Sequence, residues 1–532
     1  MAALYVPTAR ARNLAPLLGE VTVKTRTPYA GDGARLATIG IATGREAAYL
    51  RFFLERPALV TLETLITGQG VATEQTVELD ESTVRTRQLT LKRGWHELQW
   101  EPDILMPPRT YRLRVTAEDK TGARVRGSAV VRLLGVDAAF DARSTAPQTT
   151  RRLSIATDAN ALTFQMLRCG PEKEPTYAND LMKGEVVSGP IQSGWQKNGN
   201  RPGSMQVRVG DWPSGVYTAR IDTDDGRWGF APLVVRPSAP THRTAAVIPT
   251  STWHAYNFYD ADGDGWGDTW YARWKTDQVD LARPQANRGV PYRFRSYDLE
   301  FLQWLATTGR DIDYYADEDI ERFASPAALR GAYDLLVFSG HTEYVTTRLY
   351  DLITGFRNLG GNLMFLSANN FFRRVIRSGK TQTLVGEWRD VGRPEAALCG
   401  VQYLASDRGE RNAPYTVAGA DVMPWAFEGT GLANGDTFGS YGIEIDARTY
   451  SSPPGTQVLA HISDLFGPGR SPEMTYYEHE SGARVFSAGV LNFGGQVLLW
   501  PEATQLLANV WARLGGPPAT VTPTPPVGNE PG

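Results

Sequence analysis

The chain has 532 residues, with 55 Lys and Arg against 58 Asp and Glu, a formal net charge of −3 and 42% hydrophobic residues. This length suggests about three or four domains, and the near-neutral charge gives no field that would attract nucleic acid or an anionic membrane. Two distant cysteines argue against a disulfide scaffold and against a cysteine-based zinc site. Because no apolar run has the length of a signal-peptide core or a membrane span, we expect a cytoplasmic protein.

The first half of the chain reads as β-structure. Short alternating runs between turn residues favour β-sandwiches, and we predict two all-β domains, at 20–136 and 137–240. The strand Gly94–Trp100 (GWHELQW) followed by Tyr111–Val115 (YRLRV) resembles immunoglobulin-like modules. The Pro-containing segment Arg236–Pro240 is a plausible domain boundary.

After residue 240 the pattern changes to short apolar strands that alternate with helices. The predicted strands are Ala245–Ile248, Tyr333–Phe338, Asn362–Leu366 and Arg484–Ala488, and the predicted helices include Asp298–Thr308 and Pro501–Leu514. Such alternation indicates parallel βαβ units. The fold class predicted for residues 241–516 is therefore an α/β, doubly wound domain of the flavodoxin-like or amidotransferase-like kind. Residues 1–19 are predicted to be an N-terminal arm, and the Pro-rich tail 517–532 to be disordered.

Polar residues follow three of the predicted strands, in the segments Thr252–Asn257, Ser339–Tyr344 and Ser367–Asn370. Ligands of open α/β sheets bind at the carboxyl ends of the strands, so these segments are the candidate site. The sequence has no GxSxG, Walker A or GxGxxG motif, which disfavours serine hydrolysis and nucleotide binding. His341 and Glu343, two positions apart after a buried strand, could face one cleft.

Several of these segments resemble the catalytic domain of the N,N-dimethylformamidase large-subunit family, over about residues 245–500. The specific parts are the A-Y-N element at Ala255–Asn257 and the G-H-x-E-Y element at Gly340–Tyr344. The resemblance implies hydrolysis of a small amide at one mononuclear non-haem Fe(III) per chain. It implies that Tyr256, Tyr297 and Glu343 hold the iron, and that His341 lies beside it.

The resemblance also implies a further glutamate near the end of the domain, which falls on Glu478 or, equally legibly, on Glu480. Phenolate and carboxylate oxygens are hard anionic donors that suit ferric iron, so the implied ligands are chemically coherent. His341 and Glu478 would move protons, and Asn370 would hydrogen-bond the oxyanion or orient a ligand. By residue type alone, the tyrosines would be core residues with hydrogen-bonded hydroxyls.

The chain departs from the family pattern directly after Asn257, where it inserts Phe258–Asp268. Asp260, Asp262, Asp264 and Asp268 fall at positions 1, 3, 5 and 9 of a calcium-type loop, with Gly265 at the sharp turn. The usual Glu of position 12 is replaced by Tyr271. We therefore predict bound Ca²⁺ that supports the neighbouring metal-ligand loop; the alternative is a solvated acidic turn.

The predicted function is thus hydrolysis of the C–N bond of a small, N-substituted formamide-like amide, with a homo-oligomer or a small partner subunit as possible assemblies. No nucleic-acid or membrane partner is expected. Two alternatives remain from the sequence. One is a metal-free, carbohydrate-active enzyme on an amidotransferase-like fold, and the other is a calcium-dependent glycan-binding protein. Bound iron would distinguish the prediction from both alternatives.

Overall fold

The computed structural model describes residues 16–40, 47–67, 81–103, 106–195, 202–272, 276–407 and 411–515. Most of the predicted arm and all of the predicted tail 517–532 lie outside the described residues. The chain divides into two compact units. The first comprises the residues up to Thr67, Asp80–Leu134 and the short segment Asp262–Trp266, and the second comprises the remainder.

The first unit is a pair of β-sheets. Its strands are β1 (Thr22–Lys24), β2 (Leu36–Gly40), β3 (Ala48–Leu54), β4 (Ala58–Thr67), β5 (Glu81–Leu91), β6 (Gly94–Trp100), β7 (Thr110–Asp119) and β8 (Arg124–Leu134). They form one sheet of order β2-β8-β7-β4-β5 and one of order β1-β3-β6. Alternate residues such as Leu50 and Phe52 of β3 and Leu113 of β7 are fully buried in one shared core, because successive side chains of a strand point to opposite faces.

The second unit begins with further β-sheet. Its first strands are β9 (Asp137–Phe140), β10 (Ser144–Thr145), β11 (Thr150–Ala156), β12 (Ala161–Arg168), β13 (Glu185–Val186), β14 (Ile191–Gly194), β15 (Gly203–Arg208), β16 (Gly215–Thr223) and β17 (Trp228–Val235). They form a sheet of order β10-β17-β16-β12-β13, in which β14 also pairs with β12, and a sheet of order β15-β11-β9. Residues from both sheets share one core.

The rest of the second unit is mixed α/β. Its strands are β18 (Thr244–Ile248), β19 (Gln278–Asp280), β20 (Asp313–Ala316), β21 (Leu335–Phe338), β22 (Tyr344–Thr346), β23 (Asn362–Phe365), β24 (Arg373–Ser378), β25 (Thr381–Glu387), β26 (Gln402–Ser406), β27 (Asn412–Val417), β28 (Thr437–Gly442), β29 (Glu444–Ala447), β30 (Gln457–His461), β31 (Glu473–Glu478) and β32 (Arg484–Ser487).

Helices lie between these strands. The α-helices are α1 (Thr250–Ala255), α2 (Glu300–Thr307), α3 (Asp317–Ile320), α4 (Pro326–Ala332), α5 (Thr347–Asn358), α6 (Ala396–Cys399), α7 (Pro424–Phe427) and α8 (Pro501–Gly515). A π-helical turn spans Arg295–Leu299, and 3₁₀ turns span Asn287–Gly289, Arg389–Val391 and Gly494–Gln496. Within the described ranges, none of the helices combines the length and apolar character that crossing a membrane requires.

The largest sheet has the order β20-β18-β21-β23-β32-β31-β30-β27-β28, and its neighbours from β20 to β32 are parallel. In chain order the parallel strands run second, first, third, fourth and fifth. The order therefore reverses between β18 and β21, and the loops after these two strands flank a crevice at the carboxyl edge, which is where such sheets bind ligands. Both faces of β18 are buried, Ala245 and Val247 on one side and Ala246 and Ile248 on the other.

The predicted α/β strands and the helices are confirmed, with small shifts of their ends. The predicted helix Asp298–Thr308 is a π-helical turn that leads into α2. Two features were not predicted. The largest sheet continues through the antiparallel strands β31-β30-β27-β28, and β26 and β29 form a small separate sheet. The described structure thus has β-rich sheets followed by an α/β region with a largely parallel sheet.

Candidate active site

Three of the predicted site residues lie at the crevice between β18 and β21. Tyr256 ends helix α1, which follows β18 directly, and its backbone N–H donates to the carbonyl of Thr252. His341 and Glu343 lie in the loop after β21. The backbone N–H of Glu343 donates to Thr252 Oγ1 at 3.1 Å, so the two segments are tied together at the point where the strand order reverses.

The side chains of these residues contact one another. Tyr256 Oη donates to Glu343 Oε2 at 2.7 Å. His341 Nε2 lies 3.4 Å from Glu343 Oε2 and 3.3 Å from Oε2 of Glu444, a residue that the sequence analysis did not select. Asn369 Nδ2 donates to the same Glu444 oxygen at 2.8 Å. All of these side chains are buried, so the cluster is a polar group enclosed by protein.

Tyr297, the third predicted iron ligand, lies on the π-helical turn. Its ring lies edge-on to the His341 imidazole, with 6.4 Å between the ring centroids. Tyr256, Tyr297 and His341 line one small cavity. Its interior of about 10 Å³ has room for the centre of about one water molecule. The structure therefore brings the two predicted tyrosine ligands to the same small cavity, and Glu343 contacts one of them, Tyr256.

Further tyrosines surround Tyr256. Its ring is stacked between Tyr271, at a centroid distance of 4.4 Å, and Tyr292, at 5.4 Å. Tyr271 Oη lies 3.4 Å from both carboxylate oxygens of Glu343 and is hydrogen-bonded to Tyr344 Oη. These aromatic contacts fix the orientation of the Tyr256 phenol. In the sequence, Tyr271 is distinguished only as the residue at position 12 of the Asp-rich loop.

The cluster has the electrostatics of a buried site that holds protons. Burial raises the pKa of Glu343 to about 7. The neighbouring His341 opposes this shift by lowering the pKa, and the Glu444 carboxylate adds to it. Burial, with a contribution from Glu343, raises the pKa of Tyr256 well above its ordinary value, and burial does the same for Tyr297 although Arg293 opposes it. Burial lowers the pKa of His341, but the neighbouring Glu444 and Glu343 carboxylates outweigh this effect and the net shift is upward.

These residues fit a hard metal ion. Two phenols and a carboxylate supply anionic oxygen donors, the chemistry that ferric iron prefers. His341 Nε2 is buried without a well-aligned hydrogen bond although two carboxylates lie nearby. Buried polar atoms seldom lack a well-aligned hydrogen bond, so the geometry at this imidazole nitrogen is consistent with a site built around a group that binds there.

Two predicted residues take other positions. Asn370 is buried, but its amide donates to the carbonyl of Ser367 at 3.0 Å, and it is Asn369 that contacts the cluster. Glu478 is 52% exposed in its side chain and pairs with Arg513 at 3.0 Å. It lies opposite Arg484, the first residue of β32, and thus at the amino edge of the parallel strands, across the sheet from the cluster. Glu480 is exposed on the turn that follows.

Glu444, rather than Glu478 or Glu480, is the glutamate from the last part of the domain that contacts the cluster. It begins β29, and the preceding Ile443 has a φ of +74°, a left-handed conformation that β-branched residues rarely adopt. This turn leads the chain out of β28 and points Glu444 at His341. The only signal in the sequence is two acids that alternate with apolar residues, Glu444 and Asp446. Both are buried, and burial raises the pKa of Asp446 to about 8.

A close backbone contact holds Tyr297 in place. A Cβ on Gly495 would lie 1.8 Å from the carbonyl oxygen of Ser296. We therefore expect Gly495→Ala to lower the free energy of unfolding by about 1–3 kcal/mol, because overpacking forces the backbone to shift. Thermal unfolding would measure the loss. Gly331→Ala in α4 is the control, since no atom lies within 4 Å of its Cβ position. An equal loss of unfolding free energy in both variants would contradict the importance of the contact between Gly495 and Ser296.

The Asp-rich loop forms a second group of acids. One carboxylate oxygen each from Asp260, Asp262 and Asp268 lies within 4.8 Å of the others. Gly265 has a φ of +88°, which agrees with the sharp turn predicted there. Asp264 is not part of this group, and its Oδ1 accepts from the backbone N–H of Trp266 at 2.8 Å. Three of the four predicted aspartates therefore converge, and such a triad could bind a metal ion.

The parallel sheet has a crevice where the strand order reverses, and a buried cluster of phenol, carboxylate and imidazole groups lies there. Together these features define an α/β protein with an enzyme-like site. Residues 187–503 match the family described as N,N-dimethylformamidase beta subunit-like, C-terminal. The chain therefore belongs to this family, and every residue of the cluster falls within the match. Membership is consistent with a dimethylformamidase-like enzyme and an amidase-related role.

No curated protein matches the chain. Among solved structures, a cryo-EM reconstruction of E. coli alpha-2-macroglobulin is 10% identical, with a TM-score of 0.23 over 42% of this chain and 16% of that chain. A mutant of Salmonella alpha-2-macroglobulin is also 10% identical, with a TM-score of 0.21 over 42% of this chain and 17% of that one. The chain thus spans about a sixth of these proteins, and similarity this low does not bear on its fold or function.

Proposed function

We propose that the protein hydrolyses the C–N bond of a small, N-substituted formamide-like amide at one mononuclear Fe(III), held by Tyr256, Tyr297 and Glu343. The observation that carries the proposal is the 2.7 Å contact between Tyr256 Oη and Glu343 Oε2 inside a buried cluster with His341. Family membership supports the reaction class. The strand order of the parallel sheet supports a flavodoxin-like arrangement, and we interpret the preceding sheets as immunoglobulin-like.

Bound Fe(III) supplies Lewis acidity, which polarises a carbonyl group and lowers the pKa of water. The protein supplies the proton transfers. Glu444, as a carboxylate, accepts a proton from the water that attacks the carbonyl carbon. His341, whose pKa its carboxylate neighbours raise, donates a proton to the amine nitrogen as the C–N bond breaks. The two groups are 3.3 Å apart, which allows His341 to be reprotonated for the next turnover.

The test of the iron site is a visible absorption spectrum and metal analysis of the same purified sample. Charge transfer from phenolate to Fe(III) should give a broad visible band in the spectrum. Metal analysis should find about one iron per chain. Amide hydrolysis would then be assayed with small formamides. A colourless protein that holds no iron after reconstitution would contradict the proposal. If that protein held only calcium, calcium-dependent glycan binding would become the better hypothesis.

We further propose that the Asp-rich loop binds Ca²⁺. After chelation, calorimetric titration should detect Ca²⁺ binding, and Asp260→Asn or Asp268→Asn should weaken it by about tenfold or more, since each removes a charged oxygen ligand. Asp264→Asn is the matched control with a smaller expected effect, because Asp264 lies outside the converging group. Equal effects of all three substitutions would contradict the triad, and absence of binding would contradict the Ca²⁺ assignment.

The assembly remains part of the proposal. The beta subunit-like description of the family favours a partner subunit, and homo-oligomerisation is the alternative. Mass measurement of the purified chain, alone and after copurification, distinguishes these states.

A further inference from the structure

The two sheets of the first unit have unequal numbers of strands. Strand β5 is the last of the five-stranded sheet, and β6 is the last of the three-stranded sheet that shares its core. Nearly every residue of β5 is exposed, whereas alternate residues of the neighbouring β4 are buried. The larger sheet therefore extends past the edge of the smaller one, and no described strand covers the core side of β5.

Two arginines occupy this uncovered side of β5. Arg85 lies opposite Thr64 of β4, and Arg87 lies opposite Leu62. Directly opposed residues of paired strands share one face of the sheet, and Leu62 belongs to the core. Both arginines are therefore on the core side of the sheet, yet both are exposed, because the smaller sheet ends before it reaches them.

The arginines line a cavity of about 470 Å³ to which the end of β6 contributes Gln99 and Trp100. Arg85 donates to the backbone carbonyl of Glu101 at 3.1 Å and lies over the Trp100 ring, 5.8 Å from its centroid. The Glu101 carboxylate accepts from Gln99 Nε2 at 2.6 Å. Among the described residues, neither arginine forms an ion pair. The cavity thus offers two guanidinium groups against the single carboxylate of Glu101.

The free edge of β6 borders the same cavity. In the part of the chain that the structure describes, β6 pairs with β3 alone, so the backbone N–H and C=O groups of its other edge can pair with a further strand. A strand added there would continue the smaller sheet and cover the core side of β5. Arg85 and Arg87 are about 7 Å apart along β5, which is the spacing of alternate side chains on such a strand.

We propose that this cavity binds an extended segment of a partner protein as an added strand, with carboxylate side chains at alternate positions that pair with Arg85 and Arg87. Backbone hydrogen bonds to β6 supply affinity, and the guanidinium groups select acidic sequences. The free strand edge favours a peptide over other polyanions, because only another polypeptide backbone matches its alternating donors and acceptors. The proposal is independent of amide hydrolysis, since all of these residues belong to the first unit.

The test measures the binding of fluorescein-labelled peptides to the full chain by fluorescence anisotropy. The acidic probe has the sequence Thr-Glu-Val-Glu-Val-Glu-Thr, and the basic probe has Lys in place of each Glu. We expect the acidic probe to bind at least about tenfold more tightly than the basic one. Arg85→Glu combined with Arg87→Glu should weaken its binding by about tenfold or more, and the two Arg→Gln substitutions should weaken it less. Hydrogen–deuterium exchange should slow at the amides of β6 when the acidic probe is bound.

Arg124→Glu combined with Arg126→Glu is the matched control. Both residues are exposed on β8, which β7 and β4 separate from β5. The control makes the same change of net charge away from the cavity, so binding of the acidic probe should stay within about twofold of the wild type. Circular dichroism would show that each variant is folded, and the Arg→Gln pair serves if the charge-reversed pair is not.

Three outcomes would overturn the proposal. The first is no binding at about 1 mM acidic probe, which would leave the arginines as charges that keep the sheet edge from pairing with other chains. The second is equal weakening in the two charge-reversed variants, or slower exchange elsewhere but not in β6. The third is equally tight binding of an oligothymidylate, which would indicate a general polyanion site. Amide hydrolysis, present or absent, would not alter these results.

Discussion

Replacement of Tyr256 by phenylalanine should remove the iron and reduce amide hydrolysis by at least about 100-fold. The phenolate would supply one of three negative charges that balance Fe(III), and its hydroxyl is the donor to Glu343 at 2.7 Å. Tyr297→Phe and Glu343→Gln should have the same effect for the same charge-balance reason. Metal analysis, the visible band and turnover, measured on the same samples, check the result.

Tyr271→Phe is the matched control for this experiment. Its ring would still stack on Tyr256 at 4.4 Å, while the hydroxyl near Glu343 would be lost. We expect this variant to keep about one iron per chain, as the proposed ligands are intact. Stoichiometric iron in Tyr256→Phe, with an unchanged visible band, would refute the ligand assignment.

Replacement of Glu444 by glutamine should lower kcat by about 10²–10⁴-fold while iron stays bound. The carboxylate that faces His341 Nε2 at 3.3 Å would become a neutral amide, which cannot accept the proton of the attacking water. The amide can still pair with Asn369, so the fold should persist. Steady-state kinetics and metal analysis of the variant measure the two effects separately.

Glu478→Gln is the comparison for Glu444→Gln, since the family resemblance placed the last glutamate at Glu478 or Glu480, whereas the proposed mechanism uses Glu444. The exposed side chain of Glu478 lies at the other edge of the sheet, and we expect less than about a twofold change in kcat. A larger loss in Glu478→Gln than in Glu444→Gln would show that the geometric assignment is wrong.

The segments that carry the candidate site residues could be located in the sequence, because each of them follows a recognisable short run of residues. Tyr256 comes directly after an apolar strand and a short helix, and His341 and Glu343 follow another apolar strand. The end of a buried strand can be recognised from a few consecutive residues, and parallel strands bring such ends to one edge. Residue type and position in the chain were therefore enough to select these segments, and the family resemblance then singled out Tyr256, His341 and Glu343 within them.

The position of Glu478 illustrates what local patterns do not reveal. β31 carries a legible glutamate, but it runs antiparallel to β32, so its carboxyl end lies at the edge away from the crevice. Strand direction depends on hydrogen bonds to residues distant in the chain, which no short motif encodes. Local sequence likewise does not distinguish the neighbours Asn369 and Asn370. Only the folded structure shows that Asn369 contacts Glu444, whereas the Asn370 amide donates to Ser367.

The sequence by itself determined the alternation of strands and helices and the Asp-rich loop, because these depend on local periodicity and residue spacing. Short motifs that resemble a known family pointed to the proposed ligands Tyr256 and Glu343. Only the tertiary structure decided that Glu444 faces His341 and that two arginines lie on the uncovered side of β5. Glu444 arrives through the left-handed turn at Ile443, and the arginines are uncovered because the two sheets differ in their number of strands. Both positions are set by packing between segments far apart in the chain, which the order of the residues alone does not reveal.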